Sequence, residues 1–236
     1  MEVPPDCSVE LTFLGYDFFT QLFTLFDMDK DGALKDSELE RLFETSLGNP
    51  WKGTGFPHTT ITNDAGAVTL QGFLAQWSMT TLLDYKVTLR YLAYLGFPGD
   101  TTTALRITKP RRRHTKRSTR QVFLAYAFGA TGSGKTSLLK NFAGKPFSES
   151  YNPTTKPFSV VNSVEIGGVE KYLVMQEFGP KGDAEVLSNR KKLEACDVIC
   201  LVYDSSDVNS FAYIANLRVR FLGSFDKNLC NNPFFF

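Results

Sequence analysis

The sequence predicts an α+β multidomain chain, all-α in its first half and α/β in its second, and three observations carry that prediction. Apolar residues recur at helical spacing through residues ~10–96. From Gln121 onward, apolar strand-like runs alternate with helical segments, the pattern of an α/β layer. Each half also holds one loop of fixed spacing, Asp27–Glu38 in the first and Gly129–Thr136 in the second.

In the first half, Phe18, Leu22, Phe23 and Phe26 make an apolar helical face that runs into Asp27-Met28-Asp29-Lys30-Asp31-Gly32-Ala33-Leu34-Lys35-Asp36-Ser37-Glu38. An acid-rich stretch is ordinarily a solvated turn. Here the spacing D-x-D-x-D-G-x5-E is complete and helical faces flank it, which is the pattern of an EF-hand calcium loop. Calcium is a hard cation that takes six to eight oxygens. Asp27, Asp29 and Asp31 supply carboxylates at loop positions one, three and five. Ala33 offers its backbone carbonyl at position seven, and Glu38 closes the loop with two oxygens at position twelve. Gly32 permits the sharp turn. Lys35, at position nine, is expected to leave that place to a water, and Leu34, at position eight, to bridge to a second loop. Leu39, Leu42 and Phe43 give the exiting helix its apolar face.

Aligning Gly66 with the turn glycine places Ile61, Asn63 and Ala65 at positions one, three and five, Val68 at eight and Gly72 at twelve. The ligand positions are empty and the bridge position is kept, so residues ~52–77 are expected to be a calcium-silent hand that mates with the first. Its entering helix is poor, because Trp51-Lys52-Gly53-Thr54-Gly55-Phe56-Pro57 interrupts it, while Phe73, Leu74 and Trp77 face its exiting helix. A further helix is expected over Thr80–Leu95, stopped at Gly96-Phe97-Pro98-Gly99. Residues 97–120 are expected to be a linker. Their run Lys109–Arg117 is strongly basic and admits three readings: a nuclear import address, an anionic-surface patch, or a solvated interdomain linker, the last favoured.

The second half, residues 121–221, opens with an apolar strand, Gln121–Phe128, leading directly into Gly129-Ala130-Thr131-Gly132-Ser133-Gly134-Lys135-Thr136, with a helix continuing over Ser137–Phe142. Strand, G-x-x-x-x-G-K-T and helix in that order form a phosphate loop: the glycines let backbone N–H groups curl around phosphate oxygens. Gly129, Gly132, Ser133, Gly134, Lys135, Thr136 and Ser137 are the nucleotide-binding candidates, with Lys135 aimed at the β and γ phosphates and Thr136 at magnesium. Phe158–Ile166 and Lys171–Gln176 are expected to be a hairpin turning at Gly167-Gly168. Ala184–Leu193 is expected to be a helix, Asp197–Tyr203 a strand buried on both faces, Asn209–Phe221 a helix, and residues 222–236 an irregular tail.

Tyr151-Asn152-Pro153-Thr154 matches the Y-x-P-T switch of small GTPases, which makes Thr154 a second magnesium ligand and, with Lys135, a candidate catalytic group. Where D-x-x-G is then expected, the chain reads Gln176-Glu177-Phe178-Gly179. Gly179 is kept as a nucleotide-site residue, Gln176 replaces the acid, Glu177 stands one residue out of register, and Pro180 occupies the place of a water-orienting Gln. Neither N-K-x-D nor T-K-x-D occurs, so no guanine-reading motif is present. The sheet is expected to stop at its fourth strand, leaving an apolar edge prone to aggregation.

Composition narrows the rest. A net charge of +1 over 236 residues gives no reason to expect nucleic acid as a partner. The four cysteines, Cys7, Cys196, Cys200 and Cys230, lack zinc spacing and are expected to be buried thiols. No apolar run reaches the ~18 residues of a membrane span.

Together these residues resemble the mitochondrial Rho GTPase (Miro) family. The likeness is carried by Leu14–Phe19, Gly48–Trp51, Leu70–Thr81, Tyr91–Gly96, Gly132–Ser137, Asn162–Ile166, Val202–Ser206 and the Gln-Glu-Phe-Gly departure, with Thr131 differing from the Pro usual there. It implies an EF-hand pair followed by a truncated P-loop GTPase-like domain: a fragment covering the second EF-hand unit and part of the C-terminal GTPase domain, with the membrane anchor absent. It further implies binding of calcium, magnesium and GTP or GDP. It also implies a mitochondrial outer-membrane setting facing the cytosol, motor-adaptor and other mitochondrial partners, and a role in mitochondrial distribution and transport. This chain alone would be cytosolic. Two other readings remain open: a calcium-dependent interaction module with a degenerate, non-hydrolysing nucleotide domain, and a P-loop ATPase or kinase, which the Tyr151–Thr154 segment disfavours.

Overall fold

A computed structural model describes residues 1–4, 7–108 and 119–224. They divide into two compact units: residues 1–123 with 161–174, and residues 124–160 with those from 175 onward.

The first unit begins with β1 (Ser8–Leu11) and α1 (Phe13–Phe26). The Thr12 side chain caps α1 by accepting from the Gly15 N–H. The loop Asp27–Glu38 contains β2 (Ala33–Leu34) and runs into α2 (Asp36–Leu42). From Phe43 to Thr60 the chain is built of turns, with Gly53 and Gly55 at positive φ where the sequence discourages a helix. β3 (Val68–Thr69) then leads into α3 (Leu70–Tyr94). The core is aromatic: Phe19 stacks on Trp77 with centroids 4.3 Å apart, and Phe43, Trp51 and Phe73 pack around that pair. On α1, Phe19, Leu22 and Phe23 form the buried face, while Phe18 and Phe26 are only partly buried against it.

Two expectations for this half change. The helix expected to start at Thr80 is the continuation of α3, kinked where Asp84 leaves helical geometry (φ −152°, ψ 84°). The Asp84 carboxylate accepts from Lys86 N–H at 3.1 Å and so starts the second segment as a cap would. The expected linker over residues 97–120 is also folded in part. Asp100 caps a short 3-10 helix, Thr101–Ala104, and β4 (Leu105–Thr108) pairs antiparallel with β1, Ser8 opposite Thr108 and Leu11 opposite Leu105. The Glu10 carboxylate is fully buried there. It pairs with Arg106 at 2.9 Å and accepts from the N–H groups of Gln121 and Val122. Neither strand is legible locally, because each is four residues long and its partner lies about a hundred residues away. The basic run Lys109–Arg117 lies outside the described residues.

The sheet of the second half has the order β6-β7-β5-β8, formed by β5 (Val122–Phe128), β6 (Phe158–Ile166), β7 (Val169–Glu177) and β8 (Val198–Leu201). β5 and β8 are parallel, with Ala125 opposite Val198 and Phe128 opposite Leu201. Gly167 and Gly168 both take positive φ (61° and 75°), as a two-residue hairpin requires, and join β6 to β7. Helices α4 (Lys135–Phe142), α5 (Pro180–Ser188), α6 (Arg190–Ala195) and α7 (Val208–Ser224) complete the described residues.

Four boundaries differ from expectation. Ala184–Leu193 is not one helix: the chain breaks at Asn189, whose side chain caps α6 through Lys192 N–H. β8 is shorter than Asp197–Tyr203 and only half-buried along its length, because among the described residues it is an edge strand. α7 carries on through Ser224, into the segment expected to be an irregular tail; residues 225–236 lie outside the described residues. Residues 161–174 of the hairpin, expected to belong to a 121–221 domain, pack with the first unit, where Val161 N–H donates to the Thr59 carbonyl at 2.9 Å and Tyr172 stacks on Tyr16 at 5.8 Å.

Of the cysteines, Cys7, Cys196 and Cys200 are free thiols, and Cys230 lies outside the described residues. Burial pushes the Cys196 thiol up to about 12, which makes it unreactive at neutral pH.

Candidate calcium loop and nucleotide cradle

α1 delivers Asp27 to its C-terminal end, where the Asp27 N–H still bonds the Phe23 carbonyl at 2.9 Å. The loop then folds back on its own carboxylates. Asp27 accepts from the N–H groups of Asp31 and Gly32 at 3.1 and 3.0 Å. Gly32 sits at φ +81°, the left-handed conformation that suits a residue without Cβ. Glu38, on the first turn of α2, is buried and spans the loop: one oxygen accepts from Met28 N–H at 2.8 Å and the other from Lys35 N–H at 3.0 Å. Carboxylate oxygens of Asp27, Asp29 and Glu38 all lie within 4.8 Å of one another. An all-oxygen donor set held this closely fits a hard divalent cation such as calcium. Asp31 stands outside that trio, accepting from Ala33 N–H at 3.0 Å, and Ala33 lies on β2 opposite Thr69.

At position nine a positive charge enters the loop. The Lys35 ammonium bonds Asp29 and lies 2.9 Å from Asp31, so it neutralises two of the carboxylates from within the loop. That pairing holds the Asp29 carboxyl below the usual carboxylate range.

The second loop keeps the frame of the first without its chemistry. Leu34 pairs with Val68 across β2 and β3. Gly66 turns at φ +83°, and Asn63 accepts from Ala67 N–H at 2.9 Å. At position twelve, the backbone of Gly72 lies so close to the Ile61 carbonyl that a Cβ would come within 2.0 Å of the oxygen. Backbone packing thus fills the place where the first loop has a carboxylate.

In the second unit, β5 feeds its buried residues straight into the glycine loop. A Cβ on Gly129 would lie 2.2 Å from the Val202 carbonyl oxygen, so only glycine lets the loop pass the end of β8. Gly132 and Gly134 adopt φ of +81° and +87°, and Lys135 opens α4. The loop borders a cleft of about 160 Å³ lined also by Tyr151, Thr154 and Gly179. Lys135 donates to the carbonyls of Gly129 and Ala130 at 2.8 and 2.9 Å. Burial lowers its pKa, and the negative charges of Asp183 and Glu177 work against that. The Ser133 hydroxyl is buried without a hydrogen-bond partner among the described residues. Ser137 follows on α4.

Thr136 and Thr154 come together from different segments, their hydroxyl oxygens 3.2 Å apart. Gly179 makes the approach possible, since a Cβ there would lie 2.4 Å from the Thr154 carbonyl oxygen. The acid that meets these two hydroxyls is Glu177, buried beside the cleft. Its carboxylate accepts from Thr136 at 2.7 Å and from Thr154 at 3.0 Å. Gln176, at the position the sequence pattern favours, faces the other side of β7 and donates to Ser159 at 2.9 Å. Alternation along a strand places neighbours on opposite faces, so a shift of one residue decides which side chain meets the two hydroxyls. Sequence reasoning missed Asp183. This α5 carboxylate is buried, accepts from the Tyr213 hydroxyl at 3.3 Å, and is pushed up to about 6 by burial. Its only signal was an acid at the start of a helix, which says nothing of burial.

Two family models match separate stretches of the chain. A family model described as "EF hand associated" matches residues 51–119, and one described as "Ras family" matches residues 126–231. Mitochondrial Rho GTPase 1 of Cryptococcus neoformans is 57% identical over 93% of this chain and 34% of its own length. The proteins of the same name from Mycosarcoma maydis and Saccharomyces cerevisiae are 49% and 47% identical over 93% of the chain, which covers 35% of each. The chain spans about a third of the length of the curated relatives it matches. With both halves running through a single alignment at this identity, the chain belongs to the mitochondrial Rho GTPase family.

Proposed function

We propose that this chain binds a guanine nucleotide with magnesium at the Gly129–Thr136 cradle and calcium at Asp27–Glu38, and that it turns GTP over weakly or not at all. The observation that carries the nucleotide reading is the meeting of Thr136 and Thr154 beside the cradle, 3.2 Å apart. Gly129, Gly132, Ser133 and Gly134 would present backbone and hydroxyl groups to phosphate oxygens. Lys135 would exchange the Gly129 and Ala130 carbonyls for the β and γ phosphates, and Ser137 and Gly179 border the same cleft. The match to the Ras family supports guanine over adenine. Magnesium, held by Thr136 and Thr154, would neutralise phosphate charge when bound.

Hydrolysis needs a group that orients the attacking water. Pro180 follows Gly179 and opens α5, so the residue in that place carries neither amide nor acid. Lys135 can still stabilise developing charge and Thr154 can close over the phosphate, but the water is left without a guide. Calcium binding rests on the close Asp27, Asp29 and Glu38 oxygens, with Asp31 and the Ala33 carbonyl completing the set once Lys35 withdraws. In the cell we place the protein at the mitochondrial outer membrane, facing the cytosol, in mitochondrial distribution and transport with motor-adaptor partners. The support is kinship with the mitochondrial Rho GTPases; no described helix is itself long and apolar enough to cross a membrane.

The test is binding of fluorescent GTP and ATP in the presence of magnesium, followed by phosphate release with Lys135→Ala as control. The expected result is GTP-selective binding, abolished in Lys135→Ala, with little phosphate released. Robust Lys135-dependent release would overturn weak turnover. A folded chain that binds neither nucleotide would overturn the nucleotide reading and favour a calcium-dependent interaction module.

A further inference from the structure

We infer that Glu177 is the acid of the magnesium site, doing from the neighbouring position what Gln176 cannot. The inference rests on the proposed magnesium–nucleotide reading of the cleft and adds to it a positioning residue that the D-x-x-G pattern would have excluded.

Glu177 is completely buried. One of its carboxylate oxygens accepts two hydroxyl hydrogens, from Thr136 at 2.7 Å and Thr154 at 3.0 Å. The other is buried with no hydrogen-bond partner among the described residues. A buried carboxylate with an unsatisfied oxygen is costly, and proteins keep such groups where a cation or ligand completes them. No cation of the chain forms an ion pair with Glu177 among the described residues. Lys135 acts on it through space while its own hydrogens go to Gly129 and Ala130.

The direction of the two hydroxyl bonds supplies the rest. A threonine that donates its hydrogen to Glu177 keeps its oxygen lone pairs for something else. Both Thr136 and Thr154 are held in that state by the same carboxylate oxygen. The result is two neutral oxygen donors and one negative charge converging from α4, the switch segment and the end of β7, a donor set that suits a small hard divalent cation. Glu177 therefore acts by orienting Thr136 and Thr154 and by supplying the charge that magnesium requires. Gln176, hydrogen-bonded to Ser159 on the opposite face, is no part of this arrangement.

The experiment compares the full chain, Glu177→Gln and Gln176→Ala in two measurements. The first is the magnesium concentration needed for half-maximal retention of fluorescent GDP. The second is the melting temperature without nucleotide or magnesium. Wild type should retain GDP better in magnesium than in EDTA. Glu177→Gln should raise the magnesium requirement at least about tenfold, and Gln176→Ala should leave it within about twofold. Because the isosteric amide removes a buried, half-satisfied charge, Glu177→Gln should melt at or above the wild-type temperature in the ligand-free state. A Glu177 that only held the fold would give the reverse: a lower melting temperature and an unchanged magnesium requirement. An unchanged requirement in Glu177→Gln, with wild type still magnesium-dependent, would overturn the inference and leave the nucleotide reading standing. Wild type that retained no GDP under any condition would overturn both. Should Glu177→Gln not fold, Glu177→Asp takes its place: the shortened acid should raise the requirement while Gln176→Ala does not, and parity between them would overturn the inference.

Discussion

Lys35 in the calcium loop and Lys135 in the cradle each hold an ammonium group against the oxygens of a loop suited to a charged ligand. Lys35 bonds Asp29 and Asp31, which are themselves candidate ligands, so it occupies ground that a cation needs and must withdraw. Lys135 bonds the Gly129 and Ala130 carbonyls, which no phosphate wants, and in the proposed function it would become the partner of a bound phosphate. In the proposed function the first lysine would compete with its ligand and the second would wait for it. Behind that contrast lies a difference in construction. The calcium loop collects its charges within twelve consecutive residues. The cradle draws its acids from β7 and α5 and its hydroxyls from α4 and the switch segment, so its charge balance depends on the fold.

The largest effect is expected where the local site is cut at its closing residue. Glu38 uses both oxygens to tie Met28 and Lys35 together, besides facing Asp27 and Asp29. In Glu38→Gln one of those N–H groups would face an amide NH2, and a negative ligand is lost. Calcium affinity measured by titration calorimetry should fall at least about a hundredfold. An affinity within about threefold of wild type would mean that the loop does not close on Glu38, and that the site is less local than its spacing implies.

The same difference in construction decided how much was legible in the sequence. The α+β class was legible because helical periodicity and strand alternation are local, and the calcium loop because its ligands are fixed by spacing along one turn of chain. The glycine loop was legible for the same reason. Glu177 was visible as a residue but not as the acid that meets Thr136 and Thr154, since that depends on which face of β7 turns inward. Asp183 was invisible, because its surroundings, Tyr213 on α7 and the charge of Lys135 on α4, come from distant parts of the chain. β1 and β4 were missed on the same ground: two four-residue strands find each other only across the whole first unit, and Glu10 seals the pairing with Arg106 and the start of β5.

A smaller effect should separate the two sites by pH. The Asp183 carboxyl, raised from 3.8 to about 6 by burial, holds its proton more tightly folded than unfolded. Through that window the unfolded chain releases the proton first, so this group's contribution to stability falls as pH rises and the penalty is complete above about 6. Asp29 has the opposite sign: its pairing with Lys35 lowers the folded value, and the contribution is lost as pH falls. Urea denaturation of Asp183→Asn should show a gain of about 1–3 kcal/mol over wild type at neutral pH, closing toward zero by about pH 4. A variant less stable than wild type at neutral pH would show that the attraction of Lys135 outweighs burial, and that the distributed charges of the cradle are balanced without a ligand.

The smallest effect bears most directly on the competing lysine. Lys35 is exposed and its pairs with Asp29 and Asp31 are screened by solvent, so the contact cannot be worth much on its own. Its importance is that calcium and the ammonium want the same oxygens. Lys35→Ala should therefore tighten calcium binding by about two- to fivefold, with the gain shrinking as salt is raised and the pairs in wild type weaken. Lys35→Arg, which keeps the charge, should stay near wild type. If removing the charge weakened calcium binding instead, Lys35 would be holding Asp29 and Asp31 in place for the cation, and the two lysines would be alike after all: each keeping a loop in shape until its ligand arrives.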